Sequence, residues 1–330
     1  MQENVRIAIT GAAGQIGYAF LFRLASGEVF GQDTDVHLSL LEIEPAVQFL
    51  KGAVMELQDC AFPRLKSITM TSSVQDAFCE ADWAVLIGSV PRKAGMERGD
   101  LLEINGKIFV EQGKALDRYA KKSCRVLVVG NPCNTNCYIA KSVSKRIPAT
   151  NFFALMMLDQ KRAEAQLAIK AKTDSGSVKN IAVWGNHSAT QFPDFYHGVI
   201  HGQPVSTVIS DINWLKNDFI DIIQKRGAEI IKIRGQSSAA SAANAIVETI
   251  KNLIRPTEEG AFFSVAVSSD GSYGVDEGLV FGFPVRSDGA CWSIEPGIEH
   301  GSFAQEKIEN TRQELLTEKH AVEKLFLKII

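Results

Sequence analysis

The stretch Ile7-Ala8-Ile9-Thr10-Gly11-Ala12-Ala13-Gly14-Gln15-Ile16-Gly17 decides the fold of this chain of 330 residues. Val5, Ile7 and Ile9 alternate as in a short buried strand, and the apolar run after Gly17 predicts a helix. A strand, a glycine turn and a helix in this order can hold a phosphate group, because glycine lets the backbone come close and the helix N-terminus presents free N–H groups. An ordinary strand–helix turn is the alternative, since a glycine triplet is weak evidence by itself.

An acidic residue at the end of the next predicted strand, residues 36–42, favours a dinucleotide as the ligand of this turn. Glu42 lies near the ~20-residue separation at which a carboxylate binds the adenosine ribose hydroxyls of a dinucleotide. A carboxylate there would repel the extra phosphate of NADP, so the sequence favours NAD. A solvated glutamate at a strand end is the alternative.

Composition and charge exclude several classes of partner. Apolar residues make up 45% of the chain, which is typical of a globular protein with a sizeable core. The formal net charge is −3 without a run of lysine or arginine, so neither nucleic acid nor an anionic membrane is expected as a partner. No apolar run approaches the ~20 residues that cross a bilayer, and no signal peptide is expected. We therefore expect a soluble cytoplasmic protein.

The cysteine and histidine pairs do not predict a metal site. Six cysteines in so long a chain are not a disulfide framework, and no neighbouring ligand completes a set around Cys133 and Cys137. His197 and His201 have the same spacing, but their segment has the pattern of a strand and turn, where that spacing does not bring two rings together. We expect both pairs to be structural and expect no bound metal.

The order of predicted elements indicates the fold class. Strands and helices alternate as far as Ile147, and the strands at 84–88 and 125–129 are apolar throughout, as in a parallel sheet buried on both faces. We predict an α/β protein with a Rossmann-type doubly wound parallel sheet, followed by an α+β substrate domain with antiparallel strands. The predicted domains are residues 1–153, which bind NAD, and residues 154–330, which bind the substrate.

The second half contains more varied elements. Residues 205–211 predict a strand and residues 214–233 an amphipathic helix, and antiparallel strands are predicted at 262–268, 280–285 and 290–294. Asp159 can cap a helix that runs to about residue 171, with Arg162 facing the same side. Capping alone is an alternative explanation for Asp159.

Further polar residues follow the predicted strands. Arg92 and Arg98 lie in an exposed, mobile loop, residues 89–100, and arginine binds carboxylates through two parallel hydrogen bonds. Asn131 precedes a proline, which keeps it extended, and His187 ends the apolar strand that begins at residue 181. A solvated charged loop and a structural histidine are the simpler explanations of these features taken singly.

Together these groups predict one chemistry. A dinucleotide site implies hydride transfer, and an alcohol that loses a hydride must also lose its hydroxyl proton. His187 suits the removal of that proton, because the unperturbed pKa of histidine is about 6.5. A carboxylate behind the ring fixes its tautomer and stabilises its charged form. One arginine from each half would bind the two carboxylates of a small dicarboxylic acid.

Five motifs in this order resemble the malate dehydrogenases of the lactate/malate dehydrogenase family, most closely the cytosolic type (type 2), over essentially the whole chain. The GxxGxxG spacing is the usual one in that group. Cys133 stands where the family usually has alanine, at a position whose side chain takes no part in the reaction. The motifs are residues 11–17, 91–98, 130–136, 158–163 and 184–188.

The resemblance implies a role for each matching residue in the oxidation of malate to oxaloacetate by NAD, a step of the tricarboxylic acid cycle. His187 is the implied proton acceptor, and Asp159 orients it. Arg162 is implied to bind the carboxylate next to the reacting carbon, and Asn131 the oxygen on that carbon. The implied cofactor contacts are Gly11, Ala12, Ala13, Gly14, Gln15, Ile16, Gly17, Glu42, Asn105, Gln112, Val129, Gly130 and Asn131.

The loop residues distinguish a malate dehydrogenase from a lactate dehydrogenase, which is the nearest alternative. Arg92 is implied to pair with the distal carboxylate, and Arg98 to assist as the loop closes. A lactate dehydrogenase would carry a neutral residue at Arg92, since burying that charge against a methyl group costs roughly 2–5 kcal/mol. A non-catalytic dinucleotide-binding protein would lack some of these side chains. We therefore expect a malate dehydrogenase, and the resemblance implies a homodimer.

Overall fold

A computed structural model describes residues 3–90 and 98–326 of the chain. Within them, one large sheet of nine strands organises the molecule, and two small sheets lie in the second half. The strands are β1 (Asn4–Thr10), β2 (Asp35–Leu41), β3 (Leu65–Thr71), β4 (Trp83–Leu86), β5 (Arg125–Val128), β6 (Phe152–Ala154), β7 (Val178–Lys179), β8 (Ala182–Trp184), β9 (Phe192–Asp194), β10 (Val199–Ile200), β11 (Gln203–Pro204), β12 (Phe263–Ser268), β13 (Val280–Ser287) and β14 (Trp292–Ile294).

Eleven α-helices connect or follow the strands of the described residues. A 22-residue helix, α4, follows the undescribed segment 91–97. The α-helices are α1 (Gln15–Ala25), α2 (Glu44–Asp59), α3 (Val74–Phe78), α4 (Arg98–Tyr119), α5 (Cys133–Val143), α6 (Met157–Ala171), α7 (Val205–Val208), α8 (Ile212–Trp214), α9 (Ile220–Arg234), α10 (Ala240–Ile254) and α11 (Ser302–Phe326).

The first six strands confirm the predicted Rossmann arrangement. They are parallel and lie in the order β3-β2-β1-β4-β5-β6. The strand order reverses between β1 and β4, so their carboxyl ends open a crevice in which an α/β sheet binds its ligand. Gly11 immediately follows β1, and Gly88 lies two residues after β4, at this place.

The antiparallel strands of the second half join the same sheet rather than forming a separate one. β12 pairs with β6, and β13 and β14 continue the sheet from there. The strands at 263–268 and 280–287 therefore confirm the antiparallel prediction. The division at residue 153 stays a prediction, because β6 carries one sheet through it.

Two hydrophobic clusters lie on opposite faces of the sheet. Neighbouring residues along β1 alternate between them, with Ile7 and Ile9 in one cluster and Ala8 in the other. Each of these residues is at most 1% exposed, so the strand is buried on both sides. Burial on both sides also explains why β4 and β6 consist only of apolar residues.

In the second half, one predicted strand is wrong, whereas the predicted amphipathic helix is confirmed with a change of helical geometry along its length. Residues 205–211 begin with the short helix α7 rather than a strand. Pro204 is the N-cap residue of α7, a position where a proline without an N–H group does not interrupt the helical hydrogen bonds. The predicted helix 214–233 begins as α8, passes through a π-helical turn at Leu215–Phe219 and continues as α9. Among the described residues, we find no helix that is long and apolar enough to span a membrane.

The close approach of β1 and β4 predicts an unequal response to two glycine substitutions. A Cβ atom on Gly11 would lie 2.7 Å from the Gly88 Cα, and its φ of +67° is already strained for alanine. We expect Gly11→Ala to lower the free energy of unfolding by more than about 1 kcal/mol. Gly52, inside α2 with open space around it, is the control. Gly52→Ala should raise stability slightly, and thermal unfolding that shows equal shifts for both variants would contradict the contact.

Candidate functional site

The glycine turn forms an anion cradle at the switch point of the sheet. The N-cap residue of helix α1 is Gly14, which has no side chain that could occupy the first amide groups. No acidic residue lies in the first turn. Its first amide groups and positive dipole end therefore suit a phosphate. Added Cβ atoms at Gly11 and Gly17 would collide with neighbouring backbone, so only glycine keeps this turn tight. These residues fit a dinucleotide pyrophosphate.

Glu42 lies beside this cradle, as the sequence interpretation requires. Its Oε1 atom accepts a hydrogen bond of 2.9 Å from the Ala13 amide. The carboxylate thus places a negative charge at the edge of the turn, where an additional ribose phosphate would be repelled. Gln15 faces the second half, where its side chain accepts a hydrogen bond from Arg234.

Asn105 fastens helix α4 to the ends of two strands. It is fully buried, and its Oδ1 accepts a hydrogen bond of 2.8 Å from the Val90 amide. Its Nδ2 donates to the carbonyls of Val90 and Asn131, at 3.2 and 3.3 Å. Asn105 therefore fixes the backbone of Asn131 and of Val90, which is the last described residue before the segment 91–97. The Asn131–Pro132 peptide bond is cis.

The other predicted cofactor residues belong to the same region of chain. The amides of Val129 and Gly130 both donate to the Leu86 carbonyl, which continues the β4–β5 pairing. Gln112 lies on α4 and is buried, and its Oε1 has no hydrogen-bond partner among the described residues. Such a buried acceptor is expensive to leave unpaired, which is compatible with a ligand contact.

A buried carboxylate and a histidine form the centre of the site. Asp159 is 0% exposed, and its Oδ2 contacts the Nδ1 atom of His187. Burial by itself raises the pKa of the Asp159 carboxyl group. The charge and hydrogen bond of His187 and the charge of Arg162 outweigh burial, so the pKa of Asp159 lies below its ordinary value. The carboxylate is therefore ionised at neutral pH.

The second carboxylate oxygen of Asp159, Oδ1, accepts hydrogen bonds from two further side chains. Arg162 Nη1 and Gln191 Nε2 donate to Asp159 Oδ1, at 3.1 and 3.2 Å. Arg162 Nη2 also donates to Ser238 Oγ, at 3.2 Å. The guanidinium group is therefore held on one side by Asp159, which also contacts His187, and on the other by Ser238, in the segment before α10.

His187 is positioned by contacts from distant parts of the chain. Gly185 forms an antiparallel bridge with Gly282 and has a φ of +95°, which turns the chain sharply after β8. Asn134 Oδ1 then accepts a hydrogen bond of 3.0 Å from the His187 amide, and Asn134 Nδ2 donates to the Gly185 carbonyl. The first residues of α5 thus tie the histidine to the cofactor half of the molecule.

The structure brings Asp159, Arg162 and His187 together, as expected. It corrects one detail, since Asp159 is not a helix cap: α6 begins at Met157, and the Asp159 carboxylate is used by side chains instead. Arg92 lies outside the described residues, as does the side chain of Arg98. Sequence analysis missed Gln191, Asn134 and Ser238 as supports, because their partners are far away in sequence and no local pattern marks them.

The sheet, the glycine cradle and the buried carboxylate–histidine pair define an oxidoreductase that binds NAD. Two family models match the chain, the NAD binding domain of lactate/malate dehydrogenase over residues 5–153 and its alpha/beta C-terminal domain over residues 157–326. The chain therefore belongs to the lactate/malate dehydrogenase family.

Solved structures of both kinds of enzyme resemble this chain. A malate dehydrogenase from Naegleria fowleri is 42% identical and covers 98% of this chain and 99% of its own, with a TM-score of 0.95. The lactate dehydrogenase of Trichomonas vaginalis in complex with NADH and oxamate is 38% identical over 98% and 99% of the two chains, with a TM-score of 0.93. An apo form of that enzyme with one leucine replaced by arginine is 37% identical over 100% of both chains, with a TM-score of 0.95.

The buried carboxylate predicts a large loss of stability when its charge is removed. Asp159→Asn leaves Arg162 without its ion-pair partner, and we expect a loss of about 3 kcal/mol at pH 7. Because the pKa of Asp159 is lowered by folding, this contribution is present above the ordinary aspartate pKa of about 3.9 and disappears as the pH falls below it. Asp211→Asn is the control, since asparagine can still cap α8. Thermal unfolding should separate the two variants, and equal midpoints would refute the pairing.

Proposed function

We propose that the protein is an NAD-dependent malate dehydrogenase that interconverts (S)-malate and oxaloacetate. The observation that carries the proposal is the single Asp159 carboxylate that binds both the His187 ring and the Arg162 guanidinium group. This arrangement sets a base and a carboxylate-binding cation side by side, as a 2-hydroxy acid requires.

His187 serves as the proton acceptor in this proposal. Its Nδ1 is engaged by Asp159, so its Nε2 is the nitrogen that remains for the substrate hydroxyl. When malate is oxidised, the O–H proton passes to Nε2 as the carbonyl double bond forms. The carboxylate stabilises the resulting imidazolium and keeps the ring in place. Bound NAD supplies the hydride acceptor.

Arginines recognise the substrate. Arg162 binds the carboxylate next to the reacting carbon, because its fork-shaped donors match a carboxylate. Asn131, held at the turn by Asn105, contacts the oxygen on that carbon. Closure of the segment that carries Arg92 and Arg98 excludes water and adds a positive charge for the distal carboxylate.

The choice between malate and lactate depends on Arg92. Relatives of both kinds have similar identities to this chain, so overall similarity does not decide between them. A guanidinium group facing the methyl group of pyruvate would be buried without a partner, which costs roughly 2–5 kcal/mol. The five motifs also favour the cytosolic type of enzyme, which implies a cytoplasmic homodimer that carries out a reaction of the tricarboxylic acid cycle.

Steady-state NADH oxidation tests the substrate. The wild type should reduce oxaloacetate at least about 30-fold more efficiently than pyruvate, since 1.4 kcal/mol corresponds to a factor of ten. Arg92→Gln should lower kcat/KM for oxaloacetate far more than for pyruvate. Lys93→Gln, which removes the neighbouring charge, is the control and should preserve the preference. Equal losses on both substrates for Arg92→Gln would show that this residue does not read the distal carboxylate, and wild-type preference for pyruvate would refute the proposed substrate.

A histidine substitution tests the mechanism. His187→Asn should reduce kcat by about 10²–10⁴-fold or more, since a positioned base contributes that much. NADH binding, followed by the fluorescence of the bound nicotinamide, should be unchanged. His201→Asn, at an exposed position whose left-handed backbone asparagine tolerates, is the control and should retain turnover. Retained turnover in His187→Asn would assign the base to another residue.

A further inference from the structure

A second carboxylate–histidine cluster lies in the substrate half, and the proposed reaction does not use it. It consists of Asp194 at the end of β9, His197 three residues later and His300 just before α11. One ligand atom from each residue lies within 4.8 Å of those of the other two. Among the described residues, this is the only group of three or more histidine, cysteine or acidic side chains so arranged.

The carboxylate of this cluster is rigidly held. Asp194 is 0% exposed, and its Oδ1 accepts a hydrogen bond of 2.8 Å from the Tyr196 amide. Its Oδ2 accepts from the Trp184 indole, at 3.3 Å, and lies 2.8 Å from His197 Nδ1. A buried negative charge is thus aimed at the two histidines.

His300 is the member of the cluster whose ring nitrogens lack hydrogen-bond partners. Its side chain is 8% exposed, yet neither ring nitrogen has a hydrogen-bond partner. The ring lies edge to face with Trp184, with centroids 4.7 Å apart, so an N–H group facing that π system could account for one nitrogen. The second nitrogen would still be an unpaired polar atom in a buried place, which is costly. A ligand that accepts electron pairs from imidazole would satisfy it.

The spacing matches a transition-metal site. Tetrahedral Zn²⁺ with bonds of about 2.0–2.1 Å holds its ligand atoms about 3.3 Å apart. Asp194 Oδ2 lies 2.8 Å from His197 Nδ1 and 3.9 Å from His300 Nδ1, on either side of that value.

The cluster opens on one side. His197 and His300 both line a cavity of about 260 Å³, whose wall also includes Lys216 and Glu299. These two side chains carry opposite charges. The cavity leaves room for a water molecule or another small ligand at a fourth coordination position, which is the arrangement of a site with three protein ligands.

We propose that Asp194, His197 and His300 bind one Zn²⁺ ion. Two imidazoles and one carboxylate suit Zn²⁺ and related transition ions, whereas Mg²⁺ prefers a shell of oxygen atoms. Binding joins the end of β9 to the segment that leads into α11. β9 pairs with β8, and the β8–β9 connection carries His187. The ion therefore reinforces the part of the chain on which the proposed base is mounted, without contacting the base.

Zinc binding to the full chain, freed of metal by a chelator, tests this site. In competition with a chromophoric chelator, the wild type should bind one equivalent of Zn²⁺ that His197→Asn and His300→Asn weaken more than about tenfold. His201→Asn is the matched control and should bind like the wild type. Added Zn²⁺ should raise the unfolding midpoint of the wild type and of His201→Asn, whereas Mg²⁺ should not.

A further variant and a direct measurement distinguish the loss of a zinc ligand from misfolding of the protein. His300→Phe keeps an aromatic ring against Trp184 and removes both nitrogens, so it should fold but lose the zinc-dependent rise in midpoint. Anomalous diffraction from zinc-soaked crystals of the wild type should show an ion between the three side chains. No stoichiometric binding, binding that the His197 and His300 variants leave unchanged, or an ion located elsewhere would each overturn the proposal.

Discussion

The structure of the site depends on one constraint, which is that the buried Asp159 carboxylate must be fully paired. An ionised carboxylate without partners in the interior would cost several kcal/mol. Its two oxygens are instead taken by His187, Arg162 and Gln191. Because Asp159 is 0% exposed, each partner is held at a fixed place by the same charge. The functional geometry and the satisfaction of the buried charge are therefore one requirement.

The continuous sheet makes this pairing possible. β6 ends immediately before the chain enters α6, where Asp159 and Arg162 lie, and β12 pairs with the other side of β6. β13 bridges to Gly185 through Gly282, two residues before His187. Asn134, which follows β5, holds the His187 amide. The two halves of the chain thus meet through backbone pairing as well as side chains, which limits how far His187 can move relative to the first half.

Much of this arrangement could be predicted because its signals are local. The glycine turn with its flanking strand and helix, the acid at Glu42, and the apolar central strands are patterns within short windows, and sheet topology then brings the strand ends together. Gln191 and Ser238 could not be predicted as partners of Asp159 and Arg162, since each contact joins segments that only the complete fold makes neighbours. The α7 error has the opposite cause, because the local pattern of β-branched residues indicated a strand, whereas the chain forms a single short helix after Pro204.

Among the described residues, the Asp159–His187 and Asp194–His197 pairs differ in the further partner of each carboxylate. Asp159 pairs with His187 and also with Arg162, a permanent cation that balances the carboxylate and would repel a metal ion. Asp194 pairs with His197, and its other hydrogen-bond donors, the Tyr196 amide and the Trp184 indole, are neutral. His300, 3.9 Å away, is an imidazole that can keep a lone pair. In the proposed function the first pair accepts a proton, whereas the second has the donor atoms that the proposed zinc site requires. Of these two pairs, Asp159–His187 also has a guanidinium group as a partner, and this difference is what assigns the same two residue types to different purposes.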